Sequence, residues 1–236
     1  MEASPGIGRV LVVSGGPAPD AALVGPLPAG AFVIAADSGL EHATALGLGV
    51  DVLVGDLDSA SVDAVRAAEA AGVRVERHSV DKEATDLELA LEHALGFGAR
   101  RVTVVSGGGG TRLDHHLAEL VLLAAVRFAP LRIDARIGAA RAFAIHAGEA
   151  VALAGEPGAV LTLLALGGPA HGVTTAGLRW PLRAETLEPG STRGVSNEIS
   201  SGPVRIEISG GSLLAVGPRP LERVDEAPAP SRGPSQ

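Results

Sequence analysis

An α/β fold with a parallel sheet, followed by a smaller all-β domain, is the architecture this sequence predicts, on three observations. Short apolar runs of strand composition alternate with Ala-rich helical stretches from Arg9 to about Ile137, and such alternation builds a parallel sheet with helices on its faces. From about Arg141 the helical pattern stops, and strand-like runs follow one another between Gly- and Pro-containing turns. Gly and Pro together, 32 and 16 of 236 residues, are too many for a helical bundle. The expected organisation is an α/β domain over 1–140, an all-β domain over 141–217 and a disordered tail over 218–236, rich in Pro, Ser and charge.

The elements follow in order. Val10–Val13, Phe32–Ala36, Val52–Val54, Val73–Glu76 and Val102–Ser106 read as strands, being near-continuous apolar runs bounded by Gly or Asp, as buried parallel strands are. Gly39–Leu46, Val62–Ala71, Asp86–Leu95 and Leu113–Phe128 have helical length and composition. In the second part Val151–Ala154, Val160–Leu166, Val204–Ser209 and Leu213–Val216 are strand-like. In parallel sheets of this kind ligands bind beyond the carboxyl ends of the strands.

Composition narrows the function. A net charge of −8 disfavours general nucleic-acid binding, which needs a basic face. The absence of Cys removes disulfides, thiolate chemistry and Cys-ligated zinc. Met1-Glu2-Ala3-Ser4 lacks the positive start and apolar run of a signal peptide, and the densest apolar stretch, Ala159–Leu166, falls far short of a bilayer span. A cytoplasmic protein is expected, with no membrane or nucleic-acid partner.

Three segments carry chemistry. Val54-Gly55-Asp56-Leu57-Asp58-Ser59 puts two carboxylates at the end of an apolar strand. Residues two apart leave an extended backbone on the same side, and paired carboxylates repel unless a cation lies between them. Oxygen ligands of this kind suit Mg²⁺ shared with substrate phosphates; a plain turn that caps the next helix is the competing explanation. In Asp81-Lys82-Glu83-Ala84-Thr85-Asp86-Leu87-Glu88, Thr85 and Glu88 have capping-box spacing. There an Asp in the first helical turn is favoured by the helix dipole alone, and the single lysine of the chain, Lys82, stands beside it. The third segment is Ser106-Gly107-Gly108-Gly109-Gly110-Thr111-Arg112-Leu113-Asp114-His115-His116. Its amides, backed by a helix N-terminus, can cradle phosphate oxygens, and Arg112 can clamp the same anion. Asp114 has the same capping alternative as Asp86, and both histidines, without other metal-type His spacing, read as structural before catalytic.

No Walker A loop, dinucleotide fingerprint, nucleophile elbow or zincin helix occurs. Acids and a Gly-Arg loop at strand ends therefore point to a less common Mg-nucleotide site.

At this level the chain resembles the thiamine pyrophosphokinase (thiamine diphosphokinase) family in its bacterial form. The matching segments are Ala36-Asp37-Ser38-Gly39, Gly55-Asp56-Leu57-Asp58-Ser59, Lys82 with Thr85-Asp86-Leu87-Glu88, Arg112-Leu113-Asp114-His115 and Gly194-Val195-Ser196-Asn197-Glu198. They stand in the family's order and spacing from about residue 9 to 217. The resemblance implies a Rossmann-like nucleotide domain followed by a β-sandwich, in a homodimer with active sites between subunits. It implies the reaction ATP + thiamine → AMP + thiamine diphosphate, with Mg²⁺. Asp56, Asp58, Asp86 and Asp114 fall on the catalytic acidic set around the metal, and Asp37, Lys82, Thr85, Gly108, Gly109, Arg112 and His115 on contacts to ATP. Ser196 and Asn197 fall on the segment that reaches thiamine, with Trp180 placed either to stack on a cationic heterocycle or to fill core. Ser38 departs from the second Gly of many members, which bears on how closely that loop meets the nucleotide. Two alternatives keep the same site: a diphosphokinase for another hydroxymethyl heterocycle such as a pterin, or a non-catalytic sensor of nucleotide or thiamine diphosphate.

Overall fold

The structure, a computed structural model, describes residues 8–110 and 112–224. The first half runs β1 (Arg9–Val13), α1 (Ala21–Val24), β2 (Phe32–Ala36), α2 (Gly39–Ala45), β3 (Val52–Gly55), α3 (Val62–Ala70), β4 (Arg74–Arg77), α4 (Asp86–Gly96), β5 (Arg101–Ser106), α5 (Leu113–Leu123) and β6 (Arg132–Ile137). The second half is all strand: β7 (Ala140–His146), β8 (Ala150–Ala154), β9 (Val160–Ala165), β10 (Ala170–Ala176), β11 (Glu185–Leu187), β12 (Asn197–Glu198), β13 (Val204–Glu207), β14 (Ser212–Gly217) and β15 (Glu222–Val224).

Six strands lie parallel in the order β4-β3-β2-β1-β5-β6. The chain winds outward from β1 to β4 and then crosses to the other side of β1, so the winding reverses between β1 and β5. Strand periodicity divides the side chains between two cores. Val10, Val12, Ile34 and Val54 pack with Leu87, Leu91 and Phe128 on the face of α4, while Leu11, Val13 and Val33 pack with Ala43 on the face of α2. Burying each such side chain contributes roughly 1.5–3 kcal/mol. Among the described residues three helix starts have side-chain caps: Asp20 Oδ1 accepts from Ala22 N at 2.8 Å, Ser61 Oγ from Ala64 N at 3.1 Å, and Thr85 Oγ1 from Glu88 N at 3.2 Å.

The large sheet does not stop at the expected boundary near residue 140. β7 joins β6 in antiparallel register, and β14, β9 and β12 extend the same sheet to ten strands. A five-stranded antiparallel sheet, β11-β10-β13-β8-β15, lies over this extension. Phe143, Ile145, Leu161, Leu163 and Leu213 of one sheet share a core with Val151, Leu153, Val173, Val204 and Ile206 of the other. The architecture is thus mixed α/β, with a large parallel-rich sheet and a separate antiparallel β domain built partly on its continuation.

Two local expectations differ. The helix expected over Leu113–Phe128 ends at Leu123, and Val126–Phe128 form a short 3₁₀ turn that carries Phe128, fully buried, into the core. Of the expected tail, residues 218–224 are described, and Glu222–Val224 pair with β8. Residues 225–236 lie outside the described residues, as does Thr111 of the glycine loop.

Candidate active site

All six parallel strands end on one edge, so the segments after β1, β2, β3 and β5 are brought together there. Asp37 follows β2, and Asp56 and Asp58 follow β3. Their carboxylate oxygens come within 4.8 Å of one another. The backbone is bent to achieve this. Asp37 has φ +50° and Leu57, between the other two acids, φ +61°; non-glycine residues in the left-handed region are uncommon and gather at functional sites. Gly55 (φ +149°) makes room, since a Cβ there would lie 2.8 Å from Asp86 Oδ1 and 3.3 Å from Asp37 Cβ. Asp37, after β2, and Asp86, at the start of α4, therefore close on the glycine that precedes Asp56.

Lys82 ties part of this cluster together. Its Nζ lies 2.5 Å from Asp56 Oδ2 and 2.8 Å from Asp86 Oδ1, with only 14% of the side chain exposed. Burial opposes the ammonium, but the hydrogen bonds it donates to Asp56 and Asp86 prevail and raise the lysine above its ordinary value. The same bond from Lys82 holds the Asp56 carboxyl below the usual range. Asp58 accepts from its neighbour Ser59 Oγ at 3.0 Å.

Asp37 has the opposite character. It is buried, and its Oδ1 has no hydrogen-bond partner among the described residues. Burial first of all pushes its carboxyl up, the charges of Asp86 and Asp58 add to this, and the Ser38 amide and Ser59 hydroxyl offset part of it. A carboxyl whose folded pKa is raised contributes most below its unfolded value of 3.8, and the contribution is lost as pH rises through the folded value. Asp37→Asn, which tolerates the same left-handed backbone, is expected to raise Tm at pH 7 by about 2–4 °C. That gain shrinks on acidification, and thermal melts of both proteins from pH 3 to 7 check it.

The glycine loop stands on the β5 side of the crossing point. Gly107 has no room for a side chain, because a Cβ would lie 2.2 Å from the Pro17 carbonyl oxygen. Gly108 and Gly109 both have φ +67°, and the Gly108 amide donates to Ser106 Oγ at 3.3 Å. Beyond the loop, Arg112 forms a forked pair with Asp114, Nη2 to Oδ2 at 2.7 Å and Nε to Oδ1 at 3.0 Å, with both side chains about two-thirds exposed. The guanidinium holds Asp114 well below the usual carboxylate range. His115 is exposed.

The predicted acids thus divide. Asp56 and Asp58 share the carboxylate cluster with Asp37, which sequence reasoning had placed on ATP alone. Asp86 borders it through Lys82, and Asp114 pairs with Arg112 on α5. Thr85 caps α4. Ser38 places its Oγ where a Cβ on Gly15 would stand, 2.8 Å away.

A second cavity, about 270 Å³, gathers Trp180, Ser196 and Asn197 together with Arg193 and Val195. Trp180 is 46% exposed, which excludes the core alternative. Asn197 is buried and clamps it, accepting from Trp180 N at 3.1 Å and donating to Trp180 O at 2.7 Å. Arg179 lies 4.7 Å from the ring centroid and so occupies one face of the indole. Ser196, with φ +56°, donates its amide to Thr162 Oγ1 at 3.1 Å. Sequence reasoning passed over Arg179 and Arg193, which carry no local signal beyond charge.

Two family models match the chain, one over each part. Residues 27–134 match the sequence model of the thiamin pyrophosphokinase catalytic domain, and residues 151–213 that of the thiamin pyrophosphokinase vitamin B1 binding domain. No curated protein matches the chain by sequence. Among solved structures, thiamine pyrophosphokinase from Bacillus subtilis is 23% identical with TM-score 0.75, covering 90% of this chain and 99% of its own. A thiamin pyrophosphokinase family protein from Enterococcus faecalis is 25% identical with TM-score 0.71, covering 89% and 98%. Thiamin pyrophosphokinase from Candida albicans, at 14% identity, still reaches a TM-score of 0.67 over 89% of this chain and 88% of its own. With both family models matched in order over most of its length, the chain belongs to the thiamin pyrophosphokinase family.

Proposed function

We propose that this chain transfers the pyrophosphoryl group of ATP to the hydroxyl of thiamine, giving thiamine diphosphate and AMP, at the carboxylate cluster beyond β2 and β3. The observation that carries the proposal is the convergence of Asp37, Asp56 and Asp58 within 4.8 Å in a chain matched by both family models. An all-oxygen donor set with one buried, unpartnered Asp37 oxygen fits Mg²⁺, with Asp37, Asp56 and Asp58 as its holders and Asp86 beside them. Bound there, Mg²⁺ would offset phosphate charge. The strand order, reversing between β1 and β5, supports a Rossmann-like nucleotide crevice at that point.

The remaining roles belong to the chain. Pyrophosphoryl transfer asks for positioning and charge neutralisation rather than a nucleophilic side chain. Lys82, already between Asp56 and Asp86, can exchange one carboxylate for a phosphate oxygen. Arg112, exposed at the end of the glycine loop, can do the same by releasing Asp114, and the amides of Gly108 and Gly109 line its approach. Asp58, on the outer side of the cluster, is placed to take the hydroxyl proton of thiamine. The indole face of Trp180 that Arg179 leaves open suits the cationic ring of thiamine.

A homodimer fits the same picture. Leu113, Leu117 and Val121 form an apolar stripe along α5, each more than half exposed, beside Arg112 and Asp114; a second copy laid on it would bring its own residues to the phosphate end of the site. The decisive experiment is AMP release from Mg-ATP with and without thiamine, with product mass and sedimentation of the active species. Thiamine-dependent AMP, one per thiamine diphosphate, from a particle of about twice 23.6 kDa is the expected result. AMP formed only with a pterin would move the acceptor, and no AMP with any acceptor would leave the sensor reading.

A further inference from the structure

Away from the acidic edge, the large sheet carries a cavity of about 330 Å³ between the α1–β2 connection and β15. Arg9, Arg101, Arg132, Arg136, Arg141 and Arg223 line it, against the two carboxylates Asp134 and Glu222. A third of the chain's 18 arginines therefore meet in one place on a protein of net charge −8. Strand geometry explains the gathering. Arg132, Asp134 and Arg136 alternate along β6 onto one face, and Arg136 stands opposite Arg141 in the β6–β7 register.

Six guanidinium groups face two carboxylates, so the lining carries an excess of positive charge. Asp134 is engaged by Arg223, whose Nε donates to Oδ1 at 2.9 Å. Arg141 is only 8% exposed. Its hydrogen bonds go to the carbonyls of Leu23, Val24 and Ala140, and Arg136 Nη1 donates to Val24 O at 2.6 Å. Neutral carbonyls satisfy guanidinium N–H groups without offsetting their charge. Burial pulls both guanidinium groups below their ordinary values; for Arg136 the charge of Arg141 adds to this, while Glu222 offsets part of it for both and Asp134 for Arg136. One buried and one half-buried cation side by side are costly, and the two carboxylates of the lining are fewer than its six guanidinium groups.

We propose that this cavity is a second anion site, taking a small phosphorylated or pyrophosphate-bearing ligand apart from the catalytic cluster. The planar forks of Arg136 and Arg141 supply bidentate recognition of phosphate oxygens. The outer arginines, Arg9 and Arg132, both exposed, draw the anion in. The volume suits a diphosphate with little attached, and Phe143 and Leu221 give it an apolar wall.

Calorimetric titration of the full chain with inorganic pyrophosphate, in EDTA and low salt, tests this. One binding site is expected. Arg136→Gln should weaken it at least about tenfold, the rim variant Arg9→Glu/Arg132→Glu several-fold, and Arg112→Ala not at all. Absence of binding, loss of binding in Arg112→Ala, or full binding in the rim variant overturns the proposal. The rim variant decides the matter even if Arg136→Gln, which also releases α1, fails to fold. AMP and thiamine diphosphate as competitors separate a nucleotide source from a product source, and displacement by neither leaves inorganic pyrophosphate itself as the ligand.

Discussion

Asp58→Asn is expected to lower turnover roughly 10²–10³-fold or more while leaving the melting temperature within a degree or two of the parent. The side chain is exposed and its partner is the adjacent Ser59, so the fold loses little by the change. The reaction loses a carboxylate that is both a neighbour of Asp37 and Asp56 and the acceptor proposed for the thiamine proton. Initial rates of AMP formation, measured at several Mg²⁺ concentrations, distinguish the two contributions. A loss recovered by excess metal assigns Asp58 to the ion, and a loss that metal does not recover assigns it to the proton. Parent-like rates would refute the site.

Gly39→Ala is expected to be among the most damaging single substitutions, at about 3 kcal/mol or a fall in Tm of roughly 6–12 °C. The added Cβ would lie 2.0 Å from the Val13 carbonyl oxygen and 2.9 Å from its carbon. Those atoms cannot withdraw, because Val13 is registered against both Ala35 and Val105, and the Ser14 amide donates to Val105 O at 2.9 Å. Only α2 can move, and with it Asp37, two residues before its start, whose carbonyl accepts from the Leu40 amide at 3.1 Å. Activity should therefore fall together with stability. Gly49→Ala, in open space, serves as the neutral control, and equal denaturation midpoints for the two variants would contradict the steric argument.

Much of this was legible in the sequence, for reasons that differ by element. The parallel strands announce themselves because both faces are buried, so their apolar runs are nearly unbroken. The start of α4 was legible because Thr85 and Glu88 carry the capping pattern that the backbone then uses. The end of α5 was not, since nothing in Leu113–Phe128 signals a stop; burial of Phe128 against the sheet decides it. The junction of β6 with β7 was likewise invisible, because strand pairing depends on the partner and leaves no local mark. At the site, Asp56 and Asp58 declared themselves by spacing. Asp37 joins them only through a left-handed backbone at the end of another strand, which no spacing rule detects.

The continuity of the ten-stranded sheet has a consequence for how the molecule comes apart. The core beneath α4 includes Ala142, Ala144 and Leu214 from beyond residue 140, so the nucleotide end and the vitamin end share structural material. A fragment cut at that point would bare the long edge of β6 and invite intermolecular pairing. The two activities, binding a nucleotide and presenting an acceptor, are therefore not interchangeable cassettes. The shared core predicts that the two halves unfold in one cooperative transition.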